Sequence, residues 1–240
     1  MNNVTSTDEL IYAVQILLSD SFRGLLATHS AKYPGYPFGS LLPICRDTKG
    51  NPLLLISHLA QHTRNLQADP LCSLTLIEAG NGDVQQMARL TCLAQAEPVN
   101  STSTAERYFR YYPDTRRFHK ELNFHFYRLI TKQFYFIGGF GSARWFDTDR
   151  IQTPVPFSTP DEAEILYQLN AHDHDLLKRF AGRHGIVDAS STDAIGADPF
   201  GLDIRQGSNL HRIHFNATYD SKSDLLQYLS SASTDAPRAQ

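Results

Sequence analysis

Apolar residues recur along the first 150 positions in short runs, and the spacing within each run separates helix from strand. TDELIYAVQILLSDS, residues 7–21, places Leu10, Ile11, Val14, Leu17 and Leu18 on one face behind a Thr cap and acidic first-turn residues. That spacing predicts an amphipathic first helix. The runs RGLLATH, FGSLLPICRD, NPLLLIS, CSLTLIEA, ARLTCLAQAEPV, FHFYRLI and QFYFIGGF follow, separated by Gly, Pro and Asn. DTKGNP (residues 47–52) and EAGNGD (residues 78–83) carry explicit turn chemistry. So many short strands at close spacing predict a closed, mostly antiparallel barrel rather than an alternating βαβ sheet. STSTAERYFRYYPDTRRFHK interrupts them with a polar, aromatic-rich helical stretch that Pro113 divides.

The pattern changes after residue 152. TPVPFSTP (residues 153–160) holds three prolines and reads as a stiff linker. Beyond it, DEAEILYQLNAHDHDLLKRFAGRHG has the periodicity of one long helix, LDIRQ and LHRIHF read as strands, and KSDLLQYLSSA as a last helix. The organisation predicted is therefore a barrel over residues 1–152, a linker, a small α/β domain over 161–232, and a polar, flexible tail over 233–240.

One segment changes character halfway. In LLLISHLAQHTRNL (residues 53–66) an apolar strand leads at once into a short helix bearing His58, His62, Arg64 and Asn65, stopped by Asp69-Pro70. A strand that delivers a helix start with cations presents free N–H groups and positive charge at one spot, which suits a phosphate or carboxylate. The competing reading is a solvated, polar-faced connecting helix.

Composition removes several classes of function. The 240-residue chain has a formal charge of −3, and its basic residues are dispersed, which argues against a nucleic-acid-binding face. Cys45, Cys72 and Cys92 sit inside apolar segments without a Cys-x-x-Cys pair, so they read as buried small hydrophobes in a reducing compartment. MNNVTSTDEL lacks the order of a secretory signal and no eighteen apolar residues run together. The expectation is a cytoplasmic protein without membrane insertion.

Histidine spacing is less decisive. His58 and His62 lie four apart with no acidic third ligand at a fixed spacing. His172 and His174 are separated by about 200° on a helix, so they cannot clasp one metal together. His211 and His214 point to opposite faces of a strand. Gly138, Gly139 and Gly141 read either as a strand bend or as a place where a flat ring approaches the backbone. Tyr108, Tyr111, Tyr112, Phe124 and Phe126 read as core or interface.

Four blocks together carry a family likeness: RGLLATHSAKYPGYPFGSLLPI, LLLISHLAQHTRNLQADPLCSLTLIE, ARLTCLAQAEPV and FIGGFGSARWF. They resemble the FMN-binding split-barrel superfamily of pyridoxamine 5′-phosphate oxidase. SHLAQHTRNL and GGFGSARW are similar to its haem-utilisation, HugZ-like branch. The resemblance covers about residues 8–150, and LNAHDHD resembles the core of the small domain often fused to such barrels. It implies a split β-barrel followed by a small α/β domain, forming a homodimer with the cofactor in a cleft between subunits. The function implied is haem binding, with haem degradation by oxygen and an external electron donor in some members. The alternatives are an FMN-dependent oxidoreductase using the same cleft, or a haem carrier or storage protein. Ser57, His62, Thr63, Arg64, Asn65, Arg89, Gly139 and Gly141 would contact the cofactor, and His172 or His174 would ligate iron. Asn123 takes the place where some relatives carry an acid; it can orient water but cannot deliver a proton as an acid.

Overall fold

The computed structural model describes residues 6–80, 82–139, 143–152, 157–186 and 191–232. The chain divides into two compact units, Met1–Thr153 and Pro154–Gln240. The first opens with α1 (Thr7–Asp20), whose cap is Ser6 and not Thr7. The Ser6 hydroxyl accepts from the Glu9 amide at 3.2 Å, and the Glu9 carboxylate accepts from the Ser6 amide at 2.6 Å. This reciprocal box satisfies two donors that the helix itself leaves unpaired. Leu10, Val14, Leu17 and Leu18 are buried.

After α1 come β1 (Arg23–His29), β2 (Pro37–Pro43), β3 (Cys45–Arg46), β4 (Pro52–Ser57) and α2 (Gln61–Ala68). They are followed by β5 (Leu71–Ile77), β6 (Arg89–Val99), α3 (Thr102–Tyr111), α4 (Thr115–Glu121), β7 (Phe124–Ile137), β8 (Ala143–Asp147) and α5 (Thr148–Ile151). Among the described residues eight strands form one antiparallel sheet in the order β2-β1-β5-β6-β7-β4-β3, with β8 on β7. β2 and β4 come into contact without forming a ladder. The sheet therefore curls into a barrel that stays open along one seam, the split-barrel architecture expected. Leu26, Leu54, Leu74, Leu90, Leu129 and Phe134 fill its interior.

Two strands predicted from FHFYRLI and QFYFIGGF are in fact the single strand β7. Its first half pairs with β4 and its second with β8, while β6 runs along the other side. Opposite Leu93 and Ala94 the register shifts, so that Gln133 and Thr131 are the partners and Lys132 is left over. Tyr127 and Leu129 point inward before this bulge, Phe134 and Phe136 after it. The alternation breaks there as it would at a turn. On α3, Tyr108, Phe109 and Tyr111 are buried, and the Tyr108 and Phe109 rings pack edge-on against Phe126. Of the aromatics expected in core or interface, Tyr108, Tyr111 and Phe126 are core, while Tyr112 and Phe124 are half-buried. The three cysteines are buried and form no disulfide, and burial pushes the Cys72 and Cys92 thiols up to about 12, which makes them poor nucleophiles.

The second unit also corrects the sequence reading. The long helix is interrupted: α6 (Thr159–Tyr167) passes into a π-helical turn (Gln168–His172), and α7 (His174–Arg183) begins after Asp173. Asn170 is the cause. Its Nδ2 donates to the Ala194 carbonyl at 2.9 Å and its Oδ1 accepts from the Ala194 amide at 2.8 Å. The side chain thus pairs with the edge of β9 (Thr192–Asp198) as a neighbouring strand would, and the helix widens to reach it. β9 was not predicted. It joins β10 (Gly201–Gln206) and β11 (Asn209–His214) in a sheet of order β11-β10-β9, and α8 (Lys222–Ala232) completes the unit. Arg212 of β11 pairs with Asp198 at 2.6 Å and Asp203 at 3.1 Å. Gly201 makes room for it, since a Cβ there would lie 2.5 Å from the Arg212 Nε. Parts of the expected linker and all of the expected tail lie outside the described residues.

Candidate functional site

The SHLAQHTRNL block forms the corner where β4 hands over to α2. Three residues expected at a cofactor, Ser57, Thr63 and Asn65, make hydrogen bonds that build this corner. The Ser57 hydroxyl accepts from the Leu59 amide at 3.2 Å, and Thr63 Oγ1 donates to the Ser57 carbonyl at 2.6 Å. Asn65 is fully buried. Its Oδ1 accepts from the Ala31 amide at 3.0 Å and from Gln61 Nε2 at 2.8 Å, and its Nδ2 donates to Thr28 Oγ1 at 2.9 Å. Asn65 therefore ties α2 to the end of β1, and like Thr63 it is buried.

His62 and Arg64 remain available. His62 Nδ1 lies 3.1 Å from Ser40 Oγ on β2, its Nε2 is buried without a partner among the described residues, and burial holds its pKa below the usual imidazole range. Arg64 is exposed, and its guanidinium makes no ion pair or hydrogen bond among the described residues.

The same barrel end carries Asn123, because Ser57 pairs with Phe124 at the start of β7. Asn123 adopts the left-handed conformation, φ 55°, which asparagine tolerates better than most residues. In that turn its carbonyl accepts from the His58 amide at 3.4 Å and contacts His58 Nδ1 at 3.2 Å. The next carbonyl, of Phe124, contacts His119 Nδ1 at 2.8 Å. Leu59 and Leu122 flank the turn, 64% and 51% exposed. A cation, two imidazoles and two exposed leucines thus share one end of the barrel.

Arg89 and Gly139 do not join them. Arg89 pairs with Ile77 at the end of β5 remote from α2, and with Ile137 at the far end of β7. Phe124 and Ile137 are separated by roughly 40 Å of strand. The Arg89 guanidinium donates to the Val84 carbonyl at 2.7 Å. Gly139 has φ +95°, and a Cβ there would stand 3.1 Å from the Gln86 carbonyl oxygen. The space left by its missing side chain is filled by the chain's own backbone and not by an approaching ring. Gly141 lies outside the described residues.

His172 and His174 belong to the second unit, where they line a cavity of about 460 Å³ together with Arg179. His174 Nε2 lies 3.0 Å from the Thr192 carbonyl, and the His172 ring stands edge-on to Tyr167 at 5.1 Å. Among the described residues no three His, Cys, Asp or Glu side chains form a group able to hold a metal ion. No helix among them is long and apolar enough to cross a membrane.

The family model described as the CREG β-barrel matches residues 12–151. The chain belongs to this family. As a CREG β-barrel it is 44% identical over 63 residues to the non-canonical heme oxygenase HOZ, chloroplastic, of Arabidopsis thaliana. That stretch is 26% of this chain and 20% of the plant protein, so the match spans about a fifth of the curated relative's length. The fold is shared with the Agrobacterium tumefaciens protein Atu2129 at a TM-score of 0.79 and 22% identity, over 96% of this chain and 98% of that one. It is shared with a heme binding protein from Mycobacterium smegmatis at 0.55 and 24%, over 93% and 95%. Campylobacter jejuni ChuZ follows at 0.50 and 19%, over 66% and 69%.

Proposed function

We propose that this CREG β-barrel binds haem at the barrel end formed by α2 and the Asn123 turn, and serves haem utilisation. The observation that carries the reading is the grouping of Arg64, uncommitted and exposed, with the apolar surface of Leu59 and Leu122 and the imidazole of His58. A porphyrin presents an apolar ring, carboxylates at one edge and a metal that takes a nitrogen ligand, and this donor set fits each part. Arginine holds a carboxylate through two parallel hydrogen bonds, which makes Arg64 the propionate clamp. When bound, haem would supply an iron centre for oxygen and electron chemistry, with electrons from an external donor. The plant heme oxygenase and the mycobacterial heme binding protein support haem as the ligand class. FMN is the second reading, since its phosphate would suit Arg64 equally.

The protein is further proposed to act as a homodimer. Across the outer face of the sheet runs the row Leu41, Leu25, Thr75, Thr91, Tyr135 and Trp145, paired strand to strand. Leu41 and Trp145 are 70% and 54% exposed. The row carries no charge, and a two-fold copy would cover it with itself. Arg89 and Arg64 are remote within one chain, so a cleft that holds both needs a second copy.

Titration of the purified chain with haemin and, separately, with FMN tests the reading. A Soret band saturating at one haemin per chain is expected. Saturable flavin binding with no haemin binding would replace it with the second reading.

A further inference from the structure

A haem iron held by histidine takes a neutral imidazole nitrogen, and both units carry candidates. In the second unit the His174 ring meets a carbonyl through Nε2, and His172 has no hydrogen-bond partner among the described residues to fix its tautomer. In the barrel the arrangement at His58 is different. The Asn123 carbonyl, 3.2 Å from His58 Nδ1, can only accept. In the neutral ring the proton therefore sits on Nδ1, which leaves the Nε2 lone pair, without a partner among the described residues, free to ligate. An imidazole whose Nδ1–H is held by a carbonyl is oriented and made more basic for ligation through Nε2.

Resting on the haem reading above, we infer that His58 ligates the iron through Nε2 and that Asn123 is its positioning residue, acting through its main chain. Three features of the corner serve this arrangement. The Asn123 carbonyl also accepts from the His58 amide at 3.4 Å, so one oxygen fixes both backbone and ring. The left-handed conformation of Asn123 turns that carbonyl toward the β4–α2 corner. Leu59 follows His58 and Leu122 precedes Asn123 in sequence, and both are exposed, so they would offer apolar surface to the porphyrin while Arg64, six residues after His58, would take its carboxylates. His119 is held by the same device, its Nδ1 2.8 Å from the Phe124 carbonyl, but its ring packs at 5.0 Å on Phe126 and 6.0 Å on Phe109. The role assigned to Asn123 also differs from proton handling: the side chain amide is not needed, and the backbone geometry is.

The test uses the full chain loaded with ferric haemin. His58→Asn places an amide NH₂ where Nδ1–H was and removes Nε2, so it keeps the structural bond and loses the ligand. The expected result is a shifted Soret band, haemin affinity lower by about ten- to a hundredfold, and return of the wild-type spectrum on adding free imidazole. His172→Ala should leave the ferric spectrum as it was. Asn123→Val, whose branched side chain disfavours the left-handed turn that aims this carbonyl, should shift the ferric spectrum while the far-UV circular dichroism stays as in the wild type. A His58→Asn protein with wild-type spectrum and affinity would overturn the assignment, as would a spectral shift confined to His172→Ala. Failure of the wild-type chain to bind haemin would instead remove the haem reading itself.

Discussion

Arg64 and Arg89 stand at opposite ends of the same barrel. The first sits on α2, just before β5 begins at Leu71, and the second pairs with Ile77 where β5 ends. Arg64→Ala should lower haemin affinity by about ten- to a hundredfold, the loss of one or two charge-assisted hydrogen bonds of about 1.5–3 kcal/mol. Arg89→Ala should weaken binding only where a second copy brings it to the cleft. Haemin titrations of both variants, with circular dichroism to confirm folding, read this directly.

Sedimentation of the wild-type chain should give twice the 27.0 kDa mass. Charges placed in the uncharged row, Leu41→Glu with Trp145→Glu, should yield a folded monomer, because both side chains are solvent-exposed in the single chain. A wild-type monomer at micromolar concentration would refute the shared cleft.

Asn65→Leu should destabilise the first unit by about 2–4 kcal/mol, since it leaves the Ala31 amide, the Gln61 amide and the Thr28 hydroxyl without their partner. Urea unfolding would detect it. An unchanged midpoint would mean that Asn65 is not the tie between α2 and β1.

Burial holds the His62 pKa low in the folded protein. The unfolded chain, titrating at about 6.5, then binds the proton more readily. The stability contributed by neutral His62 is fully present above that pH and is lost as pH falls through the folded pKa. His62→Gln should flatten the decline in unfolding free energy between roughly pH 7.5 and pH 5, and parallel profiles for the two proteins would contradict this.

The strands of the barrel were legible because alternation and turn chemistry agreed. RGLLATH spans β1 residue for residue, and ARLTCLAQAEPV contains all of β6. β8 was hidden because ARWFD is a short run with a single buried position, Phe146, and β9 because TDAIGAD consists largely of residues that disfavour strands and is held by Asn170 and β10. The site was harder to read. Sequence alone does not tell that Thr63 and Asn65 are buried and hydrogen-bonded within the corner, because residues that build such a corner share their composition with a binding motif. The contact between His58 and Asn123 joins positions 65 apart, and no local pattern announces it.

The leftover residue at Lys132 gives β7 two parities. Odd-numbered side chains fill the barrel before it and even-numbered ones after it. A chain shortened by that single residue would have to expose Phe134 and Phe136 or withdraw Tyr127 and Leu129, turning half of its longest strand inside out. The length of this segment is therefore constrained to the residue, even though Lys132 itself is exposed and another side chain could replace its own.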